Sequence, residues 1–185
     1  MAELDTIPKL LQRNCMTYGN MRVAMRAKKL GIWQEYTWKD YWDNVKYVSL
    51  GLISLGLERG DKVSILGENK PEWFWAEVAV QAAGGTTVGI HTECMPNEVK
   101  YFVTHSDSRF VFAHDQEQVD KALAIKEELP FVKRIIYWDD RGLWTYDDPV
   151  LLSFEQLIES GKNYENIHEG IFEENVRDGH GKKLQ

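Results

Sequence analysis

The chain has 185 residues, enough for one domain that buries roughly 70% of its unfolded surface. Its 29 Asp and Glu outnumber 22 Lys and Arg, for a net charge of -7, so it lacks the basic footprint of a nucleic-acid binder. Cys15 and Cys94 are widely separated, which excludes a disulfide-stapled scaffold, and no apolar run approaches the ~20 residues of a membrane span. A soluble, cytoplasmic chain with free thiols is expected.

Ile7, Leu10 and Leu11 predict a short amphipathic turn or two at the start. Arg22 to Lys28 and Ile32 to Thr37 read as extended segments joined at Leu30-Gly31, a β-hairpin. Thr37-Trp38-Lys39-Asp40 then has a hydroxyl N-cap with a carboxylate three residues on. Apolar residues from Trp38 to Leu55 follow at helical spacing, and Gly56 is placed to end that helix in a left-handed conformation.

From Lys62 the pattern becomes alternating strands and helices. Strands are predicted at 62–67, Thr86 to Ile90, Arg109 to Ala113 and Val132 to Tyr137. Between them lie helices from Glu72 to Ala83, from Pro96, and from Gln116 to Leu129, the first capped by Asn69 with Pro71 in its first turn. Helical crossovers of this length are what parallel strands require, so an open, mostly parallel α/β sheet with helices on both faces is expected. The organisation is read as 1–36, helix and hairpin; 37–138, parallel-sheet unit; and 139–185, an acidic connection, a short helix capped by Ser153 and ended near Gly161, and a polar linker adding little core.

Ligands in such sheets bind outside the carboxyl ends of the strands, here Leu66 to Asn69, His91 to Cys94 and His114-Asp115. His91 with Cys94 lacks the second close pair of a zinc site, and neither His91 nor His105 is joined to Cys94 by an orienting third group. Gly84-Gly85-Thr86-Thr87 leads from helix into strand, the reverse of a phosphate loop, and Glu68 beside Gly67 would repel phosphate. Trp38, Trp42 and Trp75 fall on packing faces, whereas Trp138 and Trp144 suggest contact with a segment beyond this chain. No residue is assigned as catalytic, cofactor-binding or metal-ligating.

Longer motifs add a resemblance. Thr37-Trp38-Lys39-Asp40, Leu55 to Val63, Asn69 with Pro71-Glu72-Trp73, Ala83 to Ile90 with Thr92, and Pro96 to Tyr101 are together similar to the N-terminal portion of the adenylate-forming (AMP-binding) acyl-CoA synthetases, particularly the long-chain fatty-acid type. The similarity spans about residues 7 to 160. Gly89 stands where many relatives have Pro, His91 where Tyr is common and Met95 where Ser is common.

The resemblance implies an N-terminal fragment whose phosphate loop and catalytic Lys lie beyond Gln185, and whose parent uses ATP, Mg²⁺ and coenzyme A to convert a carboxylate to its thioester. Alone, the fragment is expected to be inactive. The parent would sit in the cytoplasm or at the periphery of a membrane. Aryl, short-chain or bile-acid substrates remain open within the family, as does a self-sufficient small α/β binding module outside it. An incomplete sheet also predicts homodimer pairing through an exposed edge or apolar surface.

Overall fold

In the computed structural model, residues 4–181 are described, and helix caps and turns set most of the element boundaries. Helix α1, Ile7–Tyr18, is longer than its apolar pattern suggested, and it buries Pro8 and Leu11 while Ile7 stays exposed. Strands β1, Val23–Lys29, and β2, Ile32–Thr37, pair antiparallel around Leu30 and Gly31. Both turn residues have positive φ, 49° and 83°. Helix α2, Trp38–Ser54, begins with a complete capping box: Thr37 Oγ1 accepts from Asp40 N at 3.1 Å, and Asp40 Oδ2 accepts from Thr37 N at 2.8 Å. It ends at Gly56 (φ 84°), where Leu57 N donates to Leu52 O at 2.9 Å.

The main sheet contains β3, Lys62–Leu66; β4, Thr86–Ile90; β5, Ser108–Ala113; β6, Arg134–Tyr137; and β7, Leu151–Ser153. Their order is β4-β3-β5-β6-β7, and each adjacent pair is parallel, as the alternating pattern implies. β7 lies where the sequence shows only a connection, because three residues are too few to display alternation; it pairs Leu151 to Ser153 with Ile135 to Tyr137. Helices α3, Pro71–Ala82; α4, Pro96–His105; and α5, Gln116–Ala124, make the crossovers. A 3₁₀ turn at Lys126–Glu128 replaces the expected end of α5.

Side chains alternate between two cores. Val63, Ile65, Phe110, Phe112 and Ile136 pack on one face with α1, α2 and α3. Leu66, Val111, Ala113 and Ile135 pack on the other with α4 and α5. Pro71 occupies the first helical position of α3, so Lys70 is its N-cap, and Asn69 stands one residue too early to cap it.

The segment after residue 153 departs most from expectation. Helix α6, Phe154–Ile167, runs through Gly161, and α7, Ile171–Asp178, follows. Gly161 is not a helix stop. A Cβ there would lie 1.9 Å from Tyr47 O, and one on Gly51 would lie 2.3 Å from Leu157 O, so paired glycines let α2 and α6 approach backbone to backbone. Phe172 and Val176 of α7 are each 1% exposed within the first core, and Phe172 meets Trp42 edge-on at 4.9 Å. The region taken as polar linker therefore contributes core. It is also tied electrostatically: Lys46 of α2 pairs with Glu165 and, at 2.9 Å, with Glu173.

Candidate functional site

At the carboxyl ends of β3, β5 and β6 lies a crevice of about 600 Å³, walled on its outer side by the hairpin. A volume of this size suits a small-molecule ligand. The β3–α3 connection contributes Glu68 and Lys70, and the first turn of α3 Glu72; the end of β5 contributes His114 and Asp115; Trp138 to Arg141 follow β6. Backbone bonds lock the floor: His114 N donates to Leu66 O at 3.0 Å, and Asp139 N donates to His114 O at 2.8 Å.

Gly67 makes this floor. A Cβ there would fall 2.5 Å from Trp138 Cη2 and 3.0 Å from His114 Cβ. The indole lies across the glycine and stacks on the His114 ring, with centroids 5.3 Å apart and planes 20° apart. Trp138 is thus accounted for within the chain, contrary to the expectation of a missing contact. Its Nε1 is buried without a hydrogen-bond partner. Trp144 is 84% exposed.

Electrostatically the crevice is mixed. Burial pushes the Glu72 carboxyl above the ordinary carboxylate range, opposed by the nearby Lys29 and His114 and reinforced by Glu155. Asp139 moves the other way: Arg141 Nε donates to both its carboxylate oxygens, at 2.8 and 3.0 Å, which holds its pKa down. Six carboxylates and four Lys and Arg side chains line the walls. That balance does not fit a bare triphosphate. Among the described residues, no cluster of His, Cys, Asp and Glu is arranged to hold a metal ion. The crevice can bind and orient a polar ligand; it presents no serine or cysteine nucleophile.

The strand-end candidates separate accordingly. Glu68, His114 and Asp115 come together in the crevice, whereas His91 and Cys94 follow the edge strand β4 and line none of it. His91 Nδ1 accepts from Glu93 N at 3.2 Å, Cys94 packs beside the second core, and His105 stacks on Tyr101 at 5.4 Å. Burial pushes the Cys15 thiol up, away from reactivity. Gly84 to Thr87 do lead from α3 into β4, and they line a separate hollow of about 620 Å³ at the amino ends of the strands, the end opposite that used for ligands in such sheets. Glu72, read from sequence only as the start of a helix and part of the family motif, is one member of the site that sequence reasoning missed, together with Lys70, Asp139 to Arg141 and Glu155. For Glu72, proximity to a proline-started helix after a strand was the available signal.

An open parallel sheet with helices on both faces defines a doubly wound α/β unit, with a crevice at the strand ends. The model of the AMP-binding enzyme family matches residues 11–156, and the chain belongs to that family. Among curated proteins, it is 32% identical over 158 residues to the long-chain-fatty-acid–CoA ligase ACSBG2 of Xenopus laevis, covering 85% of this chain and 21% of that protein. It is 30% identical over 157 residues to ACSBG1 of Rattus norvegicus, another long-chain-fatty-acid–CoA ligase, with the same two coverages. The chain thus spans about a fifth of the length of these relatives.

Solved structures give the same architecture. Acetoacetyl-CoA synthetase from Streptomyces lividans superposes with a TM-score of 0.72 at 21% identity, over 82% of this chain and 24% of that one. The anthranilate CoA ligase AuaEII in complex with anthranoyl-AMP gives 0.67 at 24% identity, over 82% and 27%. At these identities the likeness speaks to fold alone.

Proposed function

We propose that these residues form the amino-terminal scaffold of an ATP-dependent acid–CoA ligase acting on long-chain fatty acids. The observation that carries this reading is the family match over residues 11–156, joined by relatives at 32% and 30% identity that are named long-chain-fatty-acid–CoA ligases. In the overall reaction, the acid's carboxylate attacks the α-phosphorus of ATP and releases diphosphate. The thiol of coenzyme A then displaces AMP from the acyl-adenylate. Groups that neutralise charge at phosphorus, Mg²⁺ among them, belong to this chemistry. Because the crevice does not fit a triphosphate, its residues are assigned to shaping and positioning. Among the described residues no helix is long and apolar enough to cross a membrane, and both cysteines are free, which supports a cytosolic setting.

The test compares the 185-residue chain with the polypeptide read through its coding sequence past Gln185. The longer product should form long-chain acyl-CoA with release of AMP and diphosphate, while the chain alone forms none. Titration of the chain alone with Mg-ATP should show no saturable binding; micromolar affinity would overturn the scaffold role. A panel of acids that yields thioester only with aryl or short-chain members would overturn the substrate class.

A further inference from the structure

At the hairpin tip, exposed apolar and cationic groups coincide. Leu30, Ile32 and Trp33 are 89%, 66% and 63% exposed. From Arg22 to Gln34 the sequence has four cations and no carboxylate, within a chain of net charge -7. Arg26 is paired with Glu35 at 2.8 Å, whereas neither Lys28 nor Lys29 has an ion-pair partner among the described residues. Cross-strand pairing sets Lys28 opposite Trp33 and Lys29 opposite Ile32, with the Lys28 ammonium 6.0 Å from the Trp33 ring centre.

Leu30 adds a second peculiarity. Its φ of 49° begins a two-residue turn in which Asn or Gly is the usual choice, yet the position holds a large aliphatic side chain directed at solvent. Neither turn geometry nor packing accounts for leucine there.

We propose that this tip docks the protein on an anionic phospholipid bilayer, with Leu30, Ile32 and Trp33 entering the interface and Lys28 and Lys29 meeting lipid phosphate. The shape favours a bilayer over a peptide, since a convex two-residue turn gives nothing to grip and is narrow enough to enter a headgroup layer. Lysine stems lie along apolar surface while their ammonium groups remain at headgroup level. Charge asymmetry then orients the molecule: the predominantly acidic remainder is repelled by the same surface that attracts the hairpin. The inference rests on the hairpin alone, independently of the acid the enzyme activates.

The experiment is co-sedimentation of the full 185-residue chain with phosphatidylcholine vesicles, with and without phosphatidylserine. Wild type should partition onto the phosphatidylserine vesicles, and added salt should weaken the binding. Lys28→Gln with Lys29→Gln should lower partitioning about 25-fold, at about fivefold per cation. Leu30→Ser with Trp33→Ser should lower it at least about tenfold through lost apolar burial. Because these side chains are exposed, both variants should keep the wild-type unfolding curve, separating lost docking from lost fold. No binding by wild type, equal binding to both vesicle types, or unaltered binding by the tip variants would overturn the proposal. So would a wild-type dimer that the Leu30 and Trp33 substitutions dissolve, which would make the tip an interface between copies.

Discussion

Replacing Gly161 by Ala tests whether backbone contact between α2 and α6 organises the first core. The new Cβ would lie 1.9 Å from Tyr47 O, 2.8 Å from Tyr47 C and 2.9 Å from Gly51 N. All three are backbone atoms, so no rotamer change relieves the overlap. Restoring ordinary contact requires roughly 1.5 Å of helix separation. That movement would also loosen Val48, Leu52 and Leu157, which are fully buried beside the contact. Alanine in a helix interior gains about 1 kcal/mol over glycine, whereas overpacking that shifts backbone costs about 1–3 kcal/mol and sometimes more. With so short a distance the cost lies beyond the upper end of that range, leaving a net loss of about 2 kcal/mol and a Tm lowered by roughly 4–8 °C for a chain of this size. Urea and thermal unfolding, followed by tryptophan fluorescence and circular dichroism, measure it. The double variant with Gly51→Ala should fall short of the sum of the singles, because both act on one contact. An alanine variant more stable than wild type by the intrinsic helical gain would refute the reasoning.

Phe172→Ala should cost about 3–5 kcal/mol, since the ring is 1% exposed against Trp42; a loss under about 1 kcal/mol in urea would show that α7 is not part of the cooperative unit. Gly67→Ala should displace the Trp138 ring and cost about 1–3 kcal/mol, with Trp138→Leu relieving part of the loss; equal penalties with and without the indole would exclude the contact. Burial raises the Glu72 pKa, so the folded state favours the protonated acid, and that stabilising contribution is complete below the unfolded carboxyl range and lost as pH rises through the folded pKa. Wild type should therefore lose stability relative to Glu72→Gln as pH rises above the ordinary carboxyl range, and a difference constant with pH would refute the assignment.

What the sequence displayed was local chemistry. The Thr37 and Asp40 box, the Leu30-Gly31 turn and the β-branched strands are written in adjacent residues, and the structure has each of them. What it concealed depends on distant neighbours. β7 is recognisable only through its pairing with β6, and α7 only through the cavity that receives Phe172. Gly161 has the same residue type as a helix terminator, and its role as a contact glycine is set by Tyr47, more than a hundred positions earlier. Glu72 looks like a first-turn carboxylate until His114, Lys29 and Glu155 are brought beside it.

The position of the crevice follows from strand order. The connection β3–α3–β4 runs toward one edge, while β4–α4–β5 returns past β3 and β5–α5–β6 continues away. Right-handed crossovers in opposite directions must place their helices on opposite faces. Accordingly Trp75, Val78 and Val80 of α3 lie in the first core, and Val99, Val103 and Val119 of α4 and α5 lie in the second. The chain leaving β3 at Gly67 therefore turns toward one face and the chain leaving β5 at His114 toward the other. Space opens between them at the strand ends, and Trp138, arriving after β6, covers only its floor. No single residue specifies this opening. It follows from the strand order, while Gly67, Glu72, His114 and the residues flanking them determine what it can hold.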